Sequence, residues 1–219
     1  MFYSYMTKPA LGTVCYLTVK GSSLLLLVSV LLIVTLHAGD EAIGDNQMSQ
    51  KNDSTRVLFD FVHETEAESW LVVTDSVMGG VSRGTVIWSK DSCLVFSGTL
   101  SLENNGGFSS IRTLPKDFGF GEYKGLSIRV KGDGRVYQFR LRLDSDFDGI
   151  AFTQNFQTSD NTWLNIDLPF SAFVPIYRGK ILRNVKPLVT ADVRQLGFLI
   201  ADKTAGEFRL IVDNIAAYR

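Results

Sequence analysis

The stretch Asp75-Ser76-Val77-Met78-Gly79-Gly80-Val81-Ser82 lies between two short strand-like segments and predicts a tight bend. Gly79 and Gly80 can take backbone angles that are closed to residues with a Cβ, so the main chain can closely approach another part of the molecule there. Asp75 and Ser82 supply polar groups around the bend. The three apolar residues of the stretch are expected to turn inward.

From Val57 onward the apolar residues recur at every second position, which is the period of a β-strand. Segment 137–143 carries its aromatic and aliphatic side chains at odd positions, and segments 163–168 and 208–212 alternate in the same way. Glycine-rich turn signals separate the strands, while only short segments at 63–69 and 190–193 look helical. Many short strands with such turns predict an all-β antiparallel sandwich.

Further motifs follow the bend in a fixed order. They are Asn105-Gly106-Gly107-Phe108, the segment 131–137, Arg178-Gly179 and the segment 208–215. Together with the bend they resemble the complex I intermediate-associated protein 30 family, over about Val57 to Arg219. The resemblance implies a galactose-binding-like jelly roll. It also implies a non-enzymatic role in assembling or stabilising respiratory complexes, chiefly complex I, through contacts with protein partners.

The contact surface for such a partner is expected at the glycine-rich motifs and the charged residues of the resembling segments. Repeated glycines at two places favour a backbone that comes close to a partner, although tight turns explain them equally well. The predicted partner-binding residues, on or beneath that surface, are Asp75, Met78, Gly79, Gly80, Ser82, Asn105, Gly107, Phe108, Asp133, Arg135 and Arg178.

Catalytic chemistry finds little support in the sequence. The segment 80–84 matches the Gly-x-Ser-x-Gly elbow of serine hydrolases, which needs a helix after it and a later histidine base. A strand pattern follows instead, and His63 precedes the elbow. The match is therefore interpreted as accidental, and neither a catalytic residue nor a cofactor is predicted.

Metal ligands are equally sparse. The segment 144–149 matches the first half of a calcium loop, but Asn155 stands where a bidentate Glu is expected, so a solvated turn is favoured over calcium. Apart from Cys15 and His37 near the N-terminus, the chain has one cysteine, Cys93, and one histidine, His63, which excludes an ordinary zinc ligand set. Cys93 is expected to be a small buried hydrophobe.

Carbohydrate binding is the alternative function, because galactose-binding-like folds also serve as exported carbohydrate-binding modules of the cell envelope. A glycan site requires an exposed aromatic ring, for which the chain offers Trp70, Trp88 and Trp163. Arg140 and Arg142, near Asp133 and Arg135 in sequence, can form a charged patch or simply a solvated sheet face. The formal net charge of −1, without a clustered basic excess, argues against nucleic-acid binding.

The N-terminal part has a different composition. Residues 1–38 contain the uncharged apolar segment 22–38 and are expected to form a signal peptide or membrane anchor, with the domain exported to the non-cytoplasmic side. Mitochondrial presequences are rich in arginine, whereas this segment contains none. Export is therefore favoured, and a mitochondrial location is the alternative. Residues 39–56 are polar and acidic and predict a disordered linker, which leaves 57–219 as the domain.

Overall fold

The computed structural model describes residues 55–144 and 148–219, and nearly all regular structure in them is β. The helical elements are short: α1 (Glu64–Glu68) and 3₁₀ turns at Asp75–Met78, Glu103–Asn105, Phe170–Ala172 and Thr190–Asp192. The strands are β1 (Thr55–Phe59), β2 (Trp70–Thr74), β3 (Arg83–Ser89), β4 (Cys93–Leu100), β5 (Ser109–Thr113), β6 (Gly125–Lys131), β7 (Val136–Arg142), β8 (Ala151–Gln157), β9 (Trp163–Pro169), β10 (Val174–Tyr177), β11 (Lys180–Ile181), β12 (Gln195–Ile200) and β13 (Gly206–Tyr218).

The strands form two antiparallel sheets. The six-stranded sheet has the order β3-β4-β13-β6-β9, and β1 pairs with the second half of β13. The seven-stranded sheet has the order β11-β10-β8-β7-β12-β5-β2. The predicted antiparallel sandwich is therefore confirmed, and both short helical segments lie where the sequence placed them.

The space between the sheets is filled largely by aromatic side chains. Trp70 packs against Phe198 with ring centroids 5.8 Å apart, and Phe198 meets the edge of Phe139 at 4.9 Å. Phe139 and Phe198 are fully buried, because alternation along β7 and β12 directs them between the sheets. Cys93 is also buried, as expected.

Several connections carry the chain from one sheet to the other. Segment 75–82 leads from β2 to β3, and segment 101–108 returns it from β4 to β5. Segment 132–135 joins β6 to β7, and segment 201–205 joins β12 to β13. These four connections hold most of the residues that the sequence singled out.

The N-terminal predictions lie outside the described residues. Strand β1 begins at Thr55, two residues before the predicted start of the domain, whereas the apolar segment 22–38 and most of the predicted linker fall in the part that is not described. Within residues 55–144 and 148–219, every helix is too short and polar to cross a membrane.

Candidate functional site

Asp75 is fully buried and joins two of the connections between the sheets. Its Oδ1 accepts a hydrogen bond from the backbone N–H of Ser82 at 3.0 Å, and its Oδ2 accepts one from the Ser82 hydroxyl at 2.5 Å. Oδ2 also accepts from the N–H of Gly107 at 2.6 Å and that of Phe108 at 3.3 Å. These four residues form what we call the Asp75 clasp, which fixes segment 75–82 against segment 101–108.

The hydrogen bonds of the Asp75 clasp decide the charge of its carboxylate. Burial alone would raise the pKa of Asp75, but the hydrogen bonds from Ser82, Gly107 and Phe108 favour the ionised form and hold the pKa below its ordinary value of 3.8. Asp75 is therefore an ionised structural anchor at neutral pH. Its lone pairs are occupied by donors from its own chain.

The two glycines of the bend serve different purposes. Gly79 has a φ of +88°, the left-handed backbone that ends the 3₁₀ turn, and open space surrounds the position of a Cβ there. Gly80 lacks a positive φ, but a Cβ on it would lie 2.3 Å from Cγ of Asp75. One glycine is required by backbone conformation and the other by the space that the buried carboxylate occupies.

The apolar residues of the bend do not turn inward, so that expectation was wrong. Val77 is 57% exposed, Met78 62% and Val81 47%. The reason is that Asp75 and Ser82 take the interior positions of the bend, which directs the three apolar side chains between them to the surface. The bend thus presents an apolar surface to solvent.

Arg135 and Asp133 belong to a second internal junction, at the other pair of connections. The Arg135 guanidinium forms an ion pair with Asp202 at 2.6 Å and donates to the carbonyl oxygen of Glu207 at 2.8 Å and to that of Thr204. Asp133 accepts from the N–H of Arg209 at 2.7 Å. We call the Arg135–Asp202 pair, these carbonyl contacts and the Asp133–Arg209 contact together the Arg135 clasp. It fixes segment 132–135 against segment 201–205 and the start of β13.

A groove of 740 Å³ crosses the outer face of the seven-stranded sheet. Its floor is formed by side chains that alternate with the buried aromatic residues, among them Arg112, Arg140 and Arg142. The bend and segment 106–108 border one end, and the turn between β10 and β11 borders the other. We call this feature the arginine groove.

The floor of the arginine groove concentrates positive charge. Burial and the neighbouring Arg142 lower the pKa of Arg140 to about 10, and the same two causes lower the pKa of Arg112. Burial also lowers the pKa of Arg142, although Asp144 and Asp148 oppose the shift. All three remain charged at neutral pH, but keeping these partly buried groups charged costs free energy.

The sequence did not group these arginines correctly. Arg140 and Arg142 share a sheet face, as the alternation indicated, but Asp133 and Arg135 lie in the Arg135 clasp and do not line the groove. Arg112 was missed, although its alternation with the buried Ile111 on β5 was a usable signal. The β5–β12–β7 pairing that aligns it with Arg140 is not readable from sequence spacing.

The eleven predicted partner-binding residues fall into three groups. Met78, Gly107, Phe108 and Arg178 line the arginine groove, where Arg178 pairs with Asp148 at an exposed turn. Asp75, Gly79, Gly80, Ser82 and Asn105 belong to the two connections at its bend-side border without lining the groove, and Asp133 and Arg135 lie in the Arg135 clasp.

The tryptophans do not form a sugar-stacking platform in the groove. Trp70 is buried in the core, and Trp88 donates its Nε1–H to the carbonyl oxygen of Phe61 at 2.7 Å. Trp163 is half-buried beneath Arg129 and Lys131 on the six-stranded sheet. None of the three lines the arginine groove.

The serine of the elbow-like motif and the half calcium loop offer no reactive arrangement among the described residues. Ser82 is buried and donates to Asp75, and β3 follows it in place of a helix. Residues 145–147 of the half loop lie outside the described part. Within the described ranges, His, Cys, Asp and Glu form no cluster of three or more suited to a metal ion.

Comparison with known proteins identifies related sequences. The family model described as complex I intermediate-associated protein 30 matches residues 59–212. The mitochondrial protein of that name from Mus musculus is 27% identical, and the match covers 76% of this chain and 57% of the mouse protein. Its Drosophila melanogaster counterpart is 27% identical, with 74% of this chain and 62% of that protein covered. The chain thus matches less than two thirds of the length of either relative.

Comparison with solved structures supports the fold. The family 11 carbohydrate-binding module of a Clostridium thermocellum cellulase superposes with a TM-score of 0.57 at 18% identity, over 75% of this chain and 94% of the module. Part of an agarase superposes with a TM-score of 0.52 at 10% identity, over 76% of this chain and 25% of the enzyme. At such identities the likeness establishes a shared jelly-roll sandwich and nothing about ligands.

Proposed function

Because the chain belongs to the complex I intermediate-associated protein 30 family, we propose that it assists the assembly of respiratory complex I by binding protein partners. The observation that carries this proposal is the family match, since it spans residues 59–212 and so includes both clasps and the arginine groove. The relatives from Mus musculus and Drosophila melanogaster bear the same family name.

The partner surface that we propose is the arginine groove with its bend-side border. Val77 and Met78 are exposed there, beside a polar and positively charged floor. Exposed apolar groups next to charged ones are typical of surfaces that bind proteins. The Asp75 clasp holds the two connections that form this border, so its residues support the surface from beneath.

A binding role without catalysis agrees with the chemistry of the described residues. Ser82 is committed to Asp75, and the ionised groups of the groove floor are arginines, which lack a usable proton at neutral pH. Arginines on a sheet face are suited to recognising a charged partner. We therefore propose a binding protein.

We propose the mitochondrion as the compartment. The relatives from mouse, Caenorhabditis elegans and Drosophila are all named as mitochondrial. Export was predicted from residues 22–38, which lie outside the described part, and the relatives favour the mitochondrial alternative.

Carbohydrate binding is the weaker alternative. It rests on fold likeness at 18% identity, and the tryptophans that would stack on a sugar lie outside the groove. A glycan array is expected to show no ligand whose binding depends on the groove arginines.

The proposal is tested in source cells depleted of the chain, by measuring complex I on native gels before and after re-expression of the tagged full chain. Depletion is expected to lower complex I and to cause subcomplexes to accumulate. Re-expression is expected to restore complex I and to co-purify its subunits. Normal complex I levels after depletion would contradict the proposal.

A matched pair of variants tests the surface in the same cells. Val77→Ser with Met78→Ser removes the exposed apolar groups at the groove border, whereas Val57→Ser with Val62→Ser removes equally exposed groups that do not line it. We expect the first pair to reduce co-purification at least about fivefold, the effect of losing roughly 1 kcal/mol of contact. Equal loss in both pairs would show that this border is not the contact surface.

A further inference from the structure

The floor of the arginine groove aligns its charges across three neighbouring strands. Gly197 on β12 pairs with Arg112 on β5 and with Arg140 on β7. The Cα atoms of the two arginines are therefore two strand spacings apart, about 10 Å. Gly197 has no side chain between them, so the floor stays open at its centre.

In the part of the chain that the structure describes, Arg140 and Arg142 lack a directly paired carboxylate on this floor, although Asp144 and Asp148 act on Arg142 from a distance. Arg140 donates two hydrogen bonds to the neutral Oε1 of Gln138, at 2.9 and 3.2 Å. Arg142 donates to the carbonyl oxygen of Gly149 at 2.9 Å. Across residues 55–144 and 148–219, neither Arg140 nor Arg142 forms an ion pair with a carboxylate. A partly buried guanidinium gains most from a carboxylate or phosphate that accepts two hydrogen bonds.

The shape of the groove suits a chain better than a compact ion. It runs across the strands from Val73 on β2 to Ile176 on β10, which are five strand spacings apart. That span is about 24 Å, the length of roughly seven extended residues at about 3.3 Å each. A single inorganic anion would occupy only a small part of it.

The border adds apolar groups to the charged floor. Val77 and Met78 stand at one end, and Ile176 at the other. When an extended chain lies along the groove, acidic residues near its middle can face the arginines, and apolar residues toward its two ends can contact the borders. We propose that the arginine groove binds an extended segment of a partner protein that carries acidic residues among apolar ones.

This inference rests on the proposed function and specifies the chemistry of the partner. Arg140 and Arg142 receive the carboxylates, while Val77 and Met78 contact the apolar side chains. A membrane of anionic lipids offers similar charge, but its flat surface meets the raised borders before the recessed floor. Nucleic acid would require a wider basic surface with stacking aromatic rings, whereas among residues 55–144 and 148–219 the groove is lined by two aromatic side chains, Phe108 and the buried Phe198.

The experiment is a selection of random twelve-residue peptides on the immobilised full chain, followed by fluorescence anisotropy with the selected peptides. The variant Arg140→Gln with Arg142→Gln removes two charges from the groove floor. The control Arg129→Gln with Lys131→Gln removes two charges from the six-stranded sheet, and thermal melting establishes that both variants are folded. Inorganic phosphate, a mixed-linked glucan tetrasaccharide and phosphatidylglycerol vesicles are the other probes.

The expected result is that selected peptides contain at least two Asp or Glu within four residues. Their affinity should fall at least tenfold in the groove variant and less than twofold in the control, and added salt should weaken it. Selected peptides without acidic residues, equal affinity in both variants, or no selected peptide would overturn the inference. So would arginine-dependent binding of the tetrasaccharide or of the vesicles in place of peptides.

The outcome also separates this inference from the proposed function. If the groove variant still co-purifies complex I subunits like wild type, the acidic-segment inference fails and the assembly role stands. If acidic peptides bind but depletion leaves complex I unchanged, the groove chemistry stands and the assembly role fails.

Discussion

Asp75 is a carboxylate whose oxygens are used entirely for structure. The chain surrounds it with hydrogen-bond donors from two connections, so these donors, and not a cation, stabilise its negative charge. A charged acceptor with several backbone donors forms stronger hydrogen bonds than a neutral one. The negative charge in this motif therefore stabilises the bend and is not presented to a partner.

We expect Asp75→Asn to lower the free energy of unfolding by about 2–3 kcal/mol at pH 7, because the amide places a donor where the N–H groups need an acceptor. The measurement is urea denaturation of the full chain, with the exposed Asp91→Asn as control, which should stay within about 0.5 kcal/mol. A similar small effect for both variants would show that the Asp75 carboxylate does not stabilise the fold.

The same variant has a predicted pH dependence. The folded pKa of Asp75 is depressed, so its stabilising effect is complete above the unfolded pKa, near 3.8, and is lost as pH falls through the lower folded value. The stability difference between wild type and Asp75→Asn should thus be largest at neutral pH and shrink below pH 4. A difference that grows on acidification would contradict the depressed pKa.

The two glycines of the bend should respond differently to a methyl group. Gly80→Ala forces a Cβ against Asp75 and is expected to cost about 2–3 kcal/mol, whereas Gly79→Ala meets open space and should cost about 1 kcal/mol for its positive φ. Thermal melting of both variants under one condition compares them directly. The reverse order would mean that the backbone conformation, and not the buried carboxylate, limits this turn.

At the scale of elements, the two clasps solve the same problem at different places. Each one holds a pair of connections that pass between the sheets in opposite directions, one by a buried carboxylate and the other by a guanidinium. A connection leaves the hydrogen bonding of its strand, so its backbone groups need other partners. In the two clasps, Asp75 and Arg135 supply those hydrogen-bonding partners.

We expect Arg135→Ala to lower the free energy of unfolding by about 3 kcal/mol, because the Asp202 carboxylate and several carbonyl groups would lose a donor in a largely buried place. The control is Arg129→Ala, which removes an ion pair with Asp213 in which the side chains are 39% and 29% exposed and should cost less than about 1 kcal/mol. Urea denaturation measures both. Equal values would show that the Arg135 clasp contributes no more than a surface pair.

At the scale of the whole molecule, the sequence was informative wherever one short-range rule decides the structure. Alternation along β7 identified which side chains of that strand face the core and which face solvent, and the glycine-rich motifs marked the connections. The sequence could not show that segment 75–82 meets segment 101–108, or that Gly197 aligns Arg112 with Arg140. Those facts depend on strand order, which places residues far apart in the chain side by side.

The predicted inward direction of the apolar bend residues was wrong for a related reason. Hydrophobicity predicted an inward direction for Val77 and Met78, but burial of the neighbouring Asp75 required the opposite one. The free energy gained by giving the buried carboxylate a full set of hydrogen-bond donors exceeds the free energy lost by exposing two apolar side chains, because an unsatisfied buried charge costs more than an exposed methyl group. The exposed apolar border of the groove is thus a by-product of how the bend is anchored.

The position of β13 in the sheet has a consequence for the order in which the sheet can form. This strand is synthesised after all the other described strands, yet it pairs with β4, β6 and β1 at the centre of the six-stranded sheet. Without β13, the pairing of this sheet reduces to the separate pairs β3–β4 and β6–β9 with β1 unpaired, which leaves strand edges open to wrong associations. We therefore expect the six-stranded sheet to close only after β13 has been synthesised, and the strand edges that await β13 to be sites of wrong association in the newly made chain.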